Sequence, residues 1–355
     1  MVVDDSAVVR GLVSRWLAEA PDIEVVSLQR NGRAAVEAID ETNPDIVILD
    51  IEMPEMDGMT ALPLILRKKP GIPVVVASTL TRRNAEISLK ALSLGARDYL
   101  PKPEGQHGLV SADDFRQQLL AKIRALGMPR PGLPRKTQAA QVSVPTPARP
   151  DVAITLRPAS SVRPRVLVIG SSTGGPPALT RLMEELGGKL GGIPVLITQH
   201  MPPTFTGILA EHIAKASGRP AAEGRDGEPI VAGRIYVAPG GHHMLVQGGA
   251  EPRIRLDDGP PVNFCRPAVD PLFSSAAAVY GPATLALVLT GMGQDGANGA
   301  RSIATAGGTV LAQDEATSVV WGMPGATARA GVCSAVLPLD QIAGRVSQLL
   351  MGLRT

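Results

Sequence analysis

The sequence predicts an α/β chain built on two doubly wound, mostly parallel sheets in succession, the second carrying an inserted β-hairpin. Three observations support this. Short β-branched runs alternate with amphipathic helical stretches through residue 126, and the alternation resumes after residue 164. Between them, Gly127 to Arg163 holds seven prolines and six basic residues against one acidic, with no hydrophobic period. Such a stretch buries too little apolar surface to fold alone and reads as an extended, flexible tether. The expected division is 1–126, 127–163 and 164–355.

In the first unit, Val2-Val3 begins a strand, and Ser6 can cap a helix whose apolar positions Val9, Leu12, Val13, Trp16 and Leu17 keep helical spacing. Strands are expected at Ile23 to Val26, Ile46 to Leu49, Ile72 to Val76 and Asp98 to Leu100. Helices are expected near Arg33 to Ile39, Met59 to Arg67, Arg82 to Leu94 and Ala112 to Leu126. In the second unit, strands fit Val166 to Ile169, Pro194 to Thr198, Leu285 to Thr290, Thr309 to Ala312 and Ala335 to Leu337. Helices fit Pro176 to Leu186, Phe205 to Ser217, Pro267 to Tyr280 and Ala297 to Ala306. Arg234 to Leu256 breaks the rhythm with a Pro239-Gly240-Gly241 turn between apolar runs, and reads as the hairpin.

Composition narrows the function classes. A formal charge of +2 over 355 residues argues against a dedicated nucleic-acid binder. No apolar run approaches the ~20 residues of a membrane span, and Asp4 and Asp5 sit where a secretory leader would be basic. Two separated cysteines, Cys265 and Cys333, give neither a disulfide framework nor metal spacing. Both read as small core or near-surface residues, and a reducing cytoplasm is the expected location. A monomer is expected.

In doubly wound sheets, ligands gather at the carboxyl ends of strands. In the first unit those ends carry Asp4, Asp5, Asp50, Ser78 and, just beyond, Lys102. Crowded carboxylates repel unless a cation lies among them, and oxygen-only ligands suit Mg²⁺. A lysine and a hydroxyl opposite would hold a phosphoryl group carried by one carboxylate. On Asp-Asp-Ser, Asp50 with Met53 to Gly58, Ser78 and Lys102-Pro103, residues 1–126 resemble the receiver domain of two-component response regulators. The resemblance implies a flavodoxin-like (βα)5 fold phosphorylated by a histidine kinase. Asp50 would be the phospho-acceptor, Asp4, Asp5 and Asp50 the Mg²⁺ ligands, and Ser78, Tyr99 and Lys102 the switch residues, with a cis Lys102-Pro103 bond. Receivers usually have more residues ahead of the aspartate pair, so either the start lies upstream of Met1, which is the expectation, or this receiver has a shortened central strand.

In the second unit, Val166 to Ile169 breaks into Gly170-Ser171-Ser172-Thr173-Gly174-Gly175 before Pro176 opens a helix. This G-x-S-x-G turn can lift the Ser172 hydroxyl above a sheet beside free backbone N–H groups. A glycine-rich strand-to-helix turn can equally bind phosphate or permit close packing. Of five histidines, His200 alone directly follows a buried-strand pattern, and Asp295 lies in a glycine-dense turn after another. A nucleophile, a base and an orienting carboxylate on one sheet edge make a triad. The order Ser, His, Asp differs from the Ser, Asp, His of α/β-hydrolases.

The second unit is similar to the catalytic domain of the chemotaxis protein-glutamate methylesterase family. The matching stretches are Ile169 to Pro176, Thr198 to Pro203, Tyr236 to Gly240, Asp258 to Val262 with Arg266-Pro267, Leu289 to Gly296, and Gly322-Met323-Pro324. The resemblance implies hydrolysis of glutamate methyl esters on methyl-accepting chemotaxis receptors, with deamidation of certain receptor glutamines and no cofactor for the ester chemistry. Ser172, His200 and Asp295 would be catalytic, with Thr173 and Met292 as oxyanion or substrate-lining candidates. The competing expectation is a response regulator whose second unit binds a nucleotide or partner without catalysis. The Gly170 to Gly175 turn that would do this fits neither G-x-G-x-x-G nor G-x-x-x-x-G-K, and no acidic ribose contact follows it at the expected distance.

Overall fold

A computed structural model describes residues 1–102, 112–127 and 154–353. Pro103 and His107, and most of the expected tether, lie outside them.

The first unit runs β1 (Val2–Val3), α1 (Ala7–Ala18), β2 (Leu28–Gln29), α2 (Gly32–Thr42), β3 (Val47–Asp50), α3 (Gly58–Lys68), β4 (Val74–Ser78), α4 (Arg82–Ser93), β5 (Asp98–Pro101) and α5 (Ala112–Gly127). Its sheet is parallel, in the order β2-β1-β3-β4-β5. The central strands are buried on both faces, as the unbroken runs Val47-Ile48-Leu49 and Val74-Val75-Val76 require. Side chains of Ser6, Asn31, Asp57 and Thr81 each accept a first-turn N–H and set the starts of α1 to α4.

One strand differs from expectation. Ile23 to Val26 forms no ladder, and β2 is Leu28–Gln29. Edge strand β2 can pair only along β1, which is two residues long, so the register Val2↔Leu28 and Val3↔Gln29 outweighs β-propensity. At the head of β1 the buried Met1 ammonium donates to Ile46 O at 2.9 Å. Its burial lowers its pKa to about 6.

The second unit runs β6 (Val166–Ser171), α6 (Gly175–Leu186), β7 (Val195–Gln199), α7 (Phe205–Ser217), β8 (Ala221–Glu223), β9 (Ile235–Val237), β10 (His243–Gln247), β11 (Arg253–Asp257), α8 (Val269–Tyr280), β12 (Thr284–Val288), α9 (Ala297–Thr305), β13 (Thr309–Gln313), α10 (Met323–Arg329), β14 (Ala335–Leu337) and α11 (Leu339–Leu350). Seven of these strands form a parallel sheet, β14-β13-β12-β6-β7-β9-β8. The hairpin exists, but its arms are β10 and β11. Tyr236 and Val237, expected in it, belong to β9 of the main sheet. Pro239-Gly240-Gly241 is therefore a crossover rather than the hairpin turn. Edge strand β8, Ala-Ala-Glu, and helices α10 and α11 complete the unit beyond the sequence expectation.

Residues 157–163, assigned to the tether by composition, run along the second unit. The Arg157 N–H donates to Cys333 O at 2.9 Å, its guanidinium to Ala304 O at 2.9 Å, and Arg163 Nε to Leu350 O at 2.7 Å. Guanidinium bonds to backbone carbonyls hold a segment that has little apolar surface to bury. No described helix is long and apolar enough to cross a membrane.

The receiver-like unit packs through α4 and β5 onto α6 and α7, and the two units share one continuous apolar core. Tyr99 of β5 stacks on Phe205 of α7 with ring centroids 4.6 Å apart.

Candidate active site

Sheet register brings the site together. The parallel pair β6 and β7 ends at Ser171↔Gln199, and the His200 N–H continues the ladder to Ser171 O at 3.1 Å. Ser172 and His200 are thus neighbours one step beyond the sheet edge, about a strand spacing apart (~4.8 Å). On the far side of β6, the Ser172 N–H donates to Thr290 O at 3.0 Å. A Cβ on Gly291 would come within 2.9 Å of Ser172 Cβ and 2.3 Å of Met323 Sδ, so only glycine lets the loop after β12 lie against the serine. That loop carries Asp295 back to the imidazole.

Asp295 is the most restrained of the three. Its Oδ2 lies 2.7 Å from His200 Nε2 and accepts the Val269 N–H at 2.6 Å. Its Oδ1 accepts N–H groups from Asp270 at 3.1 Å and Gly296 at 2.9 Å, and the Asn263 amide at 2.9 Å. Val269 and Asp270 open α8, so a helix N-terminus faces the carboxylate. Burial would raise the Asp295 pKa, but the His200 hydrogen bond and charge, with the backbone donors, outweigh it and hold the carboxylate below its usual range.

His200 balances opposing effects. Burial disfavours the imidazolium, yet Cys265 and Asp295 together raise its pKa well above the ordinary imidazole value. Cys265 Sγ stands 3.3 Å from His200 Nδ1, the nitrogen Asp295 leaves free. Ser172 Oγ makes no hydrogen bond among the described residues, and it is the Cys265 sulfur that lies against Nδ1.

The remaining expected residues are placed as follows. Met292 is half-buried in the loop between β12 and Asp295. Thr173 follows Ser172, but its hydroxyl is turned to the first unit and donates to Asp98 Oδ2 at 2.7 Å. Among the described residues the N–H groups of Thr173 and Met292 have no acceptor. His243 is buried and locally bonded, to Pro260 O and the Ala268 N–H, and His242 pairs with Asp258 at the surface.

In the first unit, Asp4, Asp5 and Asp50 can each turn an oxygen to within 4.8 Å of the others. Lys102 Nζ bridges Asp4 Oδ2 at 2.6 Å and Asp50 Oδ1 at 2.8 Å. Burial raises the Asp50 pKa to about 6 despite Lys102 beside it. Ser78 Oγ is 2.8 Å from Ser88 Oγ of α4. The Tyr99 phenol is buried, which holds its pKa well above the ordinary value. Asp4, Asp5, Asp50, Ser78 and Lys102 therefore lie at one sheet edge, whereas Tyr99 sits inside β5 and faces the interface, into which β5 and α4 extend. There Arg82 of α4 pairs with Glu211 of α7 at 2.7 Å.

Comparison with known proteins matches two families to separate parts of the chain. Residues 167–346 match the CheB methylesterase family, and residues 1–112 match the response regulator receiver domain family. A protein-glutamate methylesterase/protein-glutamine glutaminase of Bradyrhizobium diazoefficiens is 54% identical over 100% of this chain and 94% of its own length. The chain belongs to the CheB methylesterase family. A relative of that name from Nitrobacter hamburgensis is 56% identical over 99% of this chain and 94% of its own length. The crystal structure of the Thermotoga maritima CheB methylesterase catalytic domain is 39% identical. It covers 53% of this chain and 100% of that one, with a TM-score of 0.51.

Within this CheB chain, three residues of the cluster escaped sequence reasoning: Cys265, Asn263 and Asp270. The thiol was read as a packing residue, yet it touches the imidazole. Asn263 Nδ2 spans Asp295 Oδ1 and Asp270 Oδ2, the latter at 3.1 Å. Asp270 in turn accepts the Gly299 N–H at 2.7 Å, and burial raises its pKa. The available signal was Asn263 and Cys265 in a proline-rich stretch ending on Arg266-Pro267 immediately before a helix.

Proposed function

We propose that the chain hydrolyses methyl esters of glutamate side chains on chemoreceptor proteins, releasing methanol, and deamidates particular receptor glutamines. Ser172 is the nucleophile, His200 the base and Asp295 the orienting carboxylate. The observation that carries this reading is the 2.7 Å His200–Asp295 pair beside Ser172 on one sheet edge. The names of the full-length relatives support the substrate class. A nucleotide-binding turn would have no use for that imidazole–carboxylate pair, which disfavours the non-catalytic alternative.

Asp295 fixes Nε2–H, so Nδ1 is the basic nitrogen. As substrate binds, Nδ1 exchanges the Cys265 sulfur for the Ser172 hydroxyl. Ser172 Oγ attacks the ester carbonyl, and its proton passes to Nδ1. The developing oxyanion meets the N–H groups of Thr173 and Met292. His200 then returns the proton to the leaving methoxide, or to the leaving amine when the substrate is a glutamine. Water, deprotonated by Nδ1, cleaves the acyl-serine and restores both groups, leaving glutamate.

The receiver regulates access. A histidine kinase supplies the phosphoryl group to Asp50. Asp4, Asp5 and Asp50 fit a divalent ion, since the buried Asp4 and Asp50 with the exposed Asp5 beside them bring three carboxylates close together and need countercharge. When bound, Mg²⁺ would neutralise phosphoryl oxygens during transfer. Phosphate on Asp50 competes for Lys102 and draws Ser78 from Ser88. Both changes bear on α4 and β5, whose Arg82, Asp98 and Tyr99 hold the catalytic unit.

The test is methanol release from methylated receptor fragments, with and without a phosphodonor. Ser172→Ala should lose activity by orders of magnitude while staying folded. Retained activity in that variant refutes the assignment.

A further inference from the structure

The chain has four phenylalanines, and three lie in cores: Phe115 is 3% exposed, Phe205 0% and Phe273 0%. Phe264 is 99% exposed. It stands at the tip of a two-residue turn closed by Val262 N–H to Cys265 O at 3.1 Å and Cys265 N–H to Val262 O at 2.9 Å. Both tip residues have positive φ, +51° at Asn263 and +63° at Phe264. That is the pattern of a type I′ turn, which favours Asn first and Gly second. Asparagine is suited to its position, whereas phenylalanine in the left-handed region is an outlier. The chain holds a bulky apolar side chain in strained backbone and in full contact with water.

The turn is also rigidly joined to the catalytic cluster. Asn263, before Phe264, bonds Asp295 and Asp270, and Cys265, after it, touches His200. At its base, Arg266 Nη1 donates to Asp258 O at 2.9 Å and Gly259 O at 3.0 Å. Phe264 is therefore held in fixed relation to the base and its carboxylate. Among the described residues nothing of the receiver covers it, although the receiver reaches Thr173 beside Ser172. Other exposed apolar residues, such as Val8 and Met351, have no such ties.

We propose that Phe264 is the docking residue for the protein substrate: it packs against an apolar strip next to the methylated glutamate and so presents the ester to Ser172. Backbone strain retained at a site margin indicates a functional demand on the side chain. A rigid aromatic loses little entropy on binding and buries a large area in one contact. The occupant is a segment of the folded protein substrate, not a second copy of this chain. This proposal rests on the catalytic reading above.

The test compares Phe264→Asn, Phe264→Trp and wild type as full chains with a phosphodonor present. One substrate is p-nitrophenyl acetate, too small to reach the turn tip, and the other is a methylated receptor fragment. Asparagine suits a φ of +63°, so Phe264→Asn should melt no lower than wild type. Its kcat/KM on the small ester should stay within about twofold, while that on the receptor fragment falls on the order of 30-fold, as for a binding hot spot. Phe264→Trp should keep most of the receptor activity. Unchanged receptor hydrolysis in Phe264→Asn, or equal loss on both substrates, overturns the proposal and leaves the triad standing. A wild-type chain that hydrolyses neither substrate overturns the catalytic reading and this one with it.

Discussion

Replacing Asp50 by asparagine tests the electrostatics of the receiver quantitatively. The Asp50 side chain is 5% exposed and pairs with Lys102 at 2.8 Å, yet burial still raises its pKa from 3.8 to about 6. In the unfolded chain that burial is gone. Below about pH 4 both states are protonated and the group costs nothing. Between the two pKa values the native state keeps a proton that the unfolded state has released, so stability falls as pH rises. Above pH 6 both are ionised and the penalty is complete. About two pKa units at ~1.4 kcal/mol each set that penalty near 3 kcal/mol. Asparagine mimics the protonated carboxyl, and Lys102 keeps Asp4. Asp50→Asn should thus stabilise the first unit by ~1–3 kcal/mol at pH 7.5, with the gain fading toward pH 4. Urea unfolding reads this through Trp16, in α1, in a Trp321→Phe background, because the chain's two tryptophans lie one in each unit. Mg²⁺ should stabilise wild type more than the variant, since it favours the charged form. A destabilised Asp50→Asn at pH 7.5, or a gain independent of pH, refutes the reasoning.

Two further predictions concern the catalytic unit and its control. Cys265 raises the His200 pKa, and in the proposed mechanism only neutral His200 can accept the serine proton. Cys265→Ala should therefore move the acid limb of the kcat/KM–pH profile to lower pH by about one unit, measured between pH 5 and 10. An unmoved limb would show that the thiol does not act on the base. Arg82→Glu sets like charges across the α4–α7 interface and should raise activity without phosphodonor about two- to fivefold, in line with an exposed pair. The charge-swapped Arg82→Glu/Glu211→Arg chain should return to the wild-type level. Failure of the swap to restore it would assign the effect to something other than that pair.

How legible the chain was depended on whether its signals were local. Buried strands such as Val74–Ser78 and Val166–Ser171 announced themselves because parallel sheets covered on both faces need continuous apolar runs. Strand ends named Asp4, Asp50, Ser172 and His200 for the same reason. Edge strands did not: β2 and β8 owe their place to a neighbour's register, and Leu28-Gln29 or Ala221-Ala222-Glu223 carry little pattern of their own. The hairpin was misread because the Pro239-Gly240-Gly241 turn signal was stronger than that of Gly248-Gly249, the turn that joins β10 to β11.

The amino-acid sequence alone determined two α/β units, an acidic strand edge with its lysine, and the Ser172, His200 and Asp295 placements, because each follows a strand with a recognisable local pattern. Only the tertiary structure decided which hydrogen bonds these groups make. It put Cys265 on Nδ1, Asn263 and the start of α8 on Asp295, Thr173 on Asp98, and Phe264 in water. Those partners are separated by tens of residues in the chain and meet through sheet order and loop closure, which no short stretch of sequence encodes.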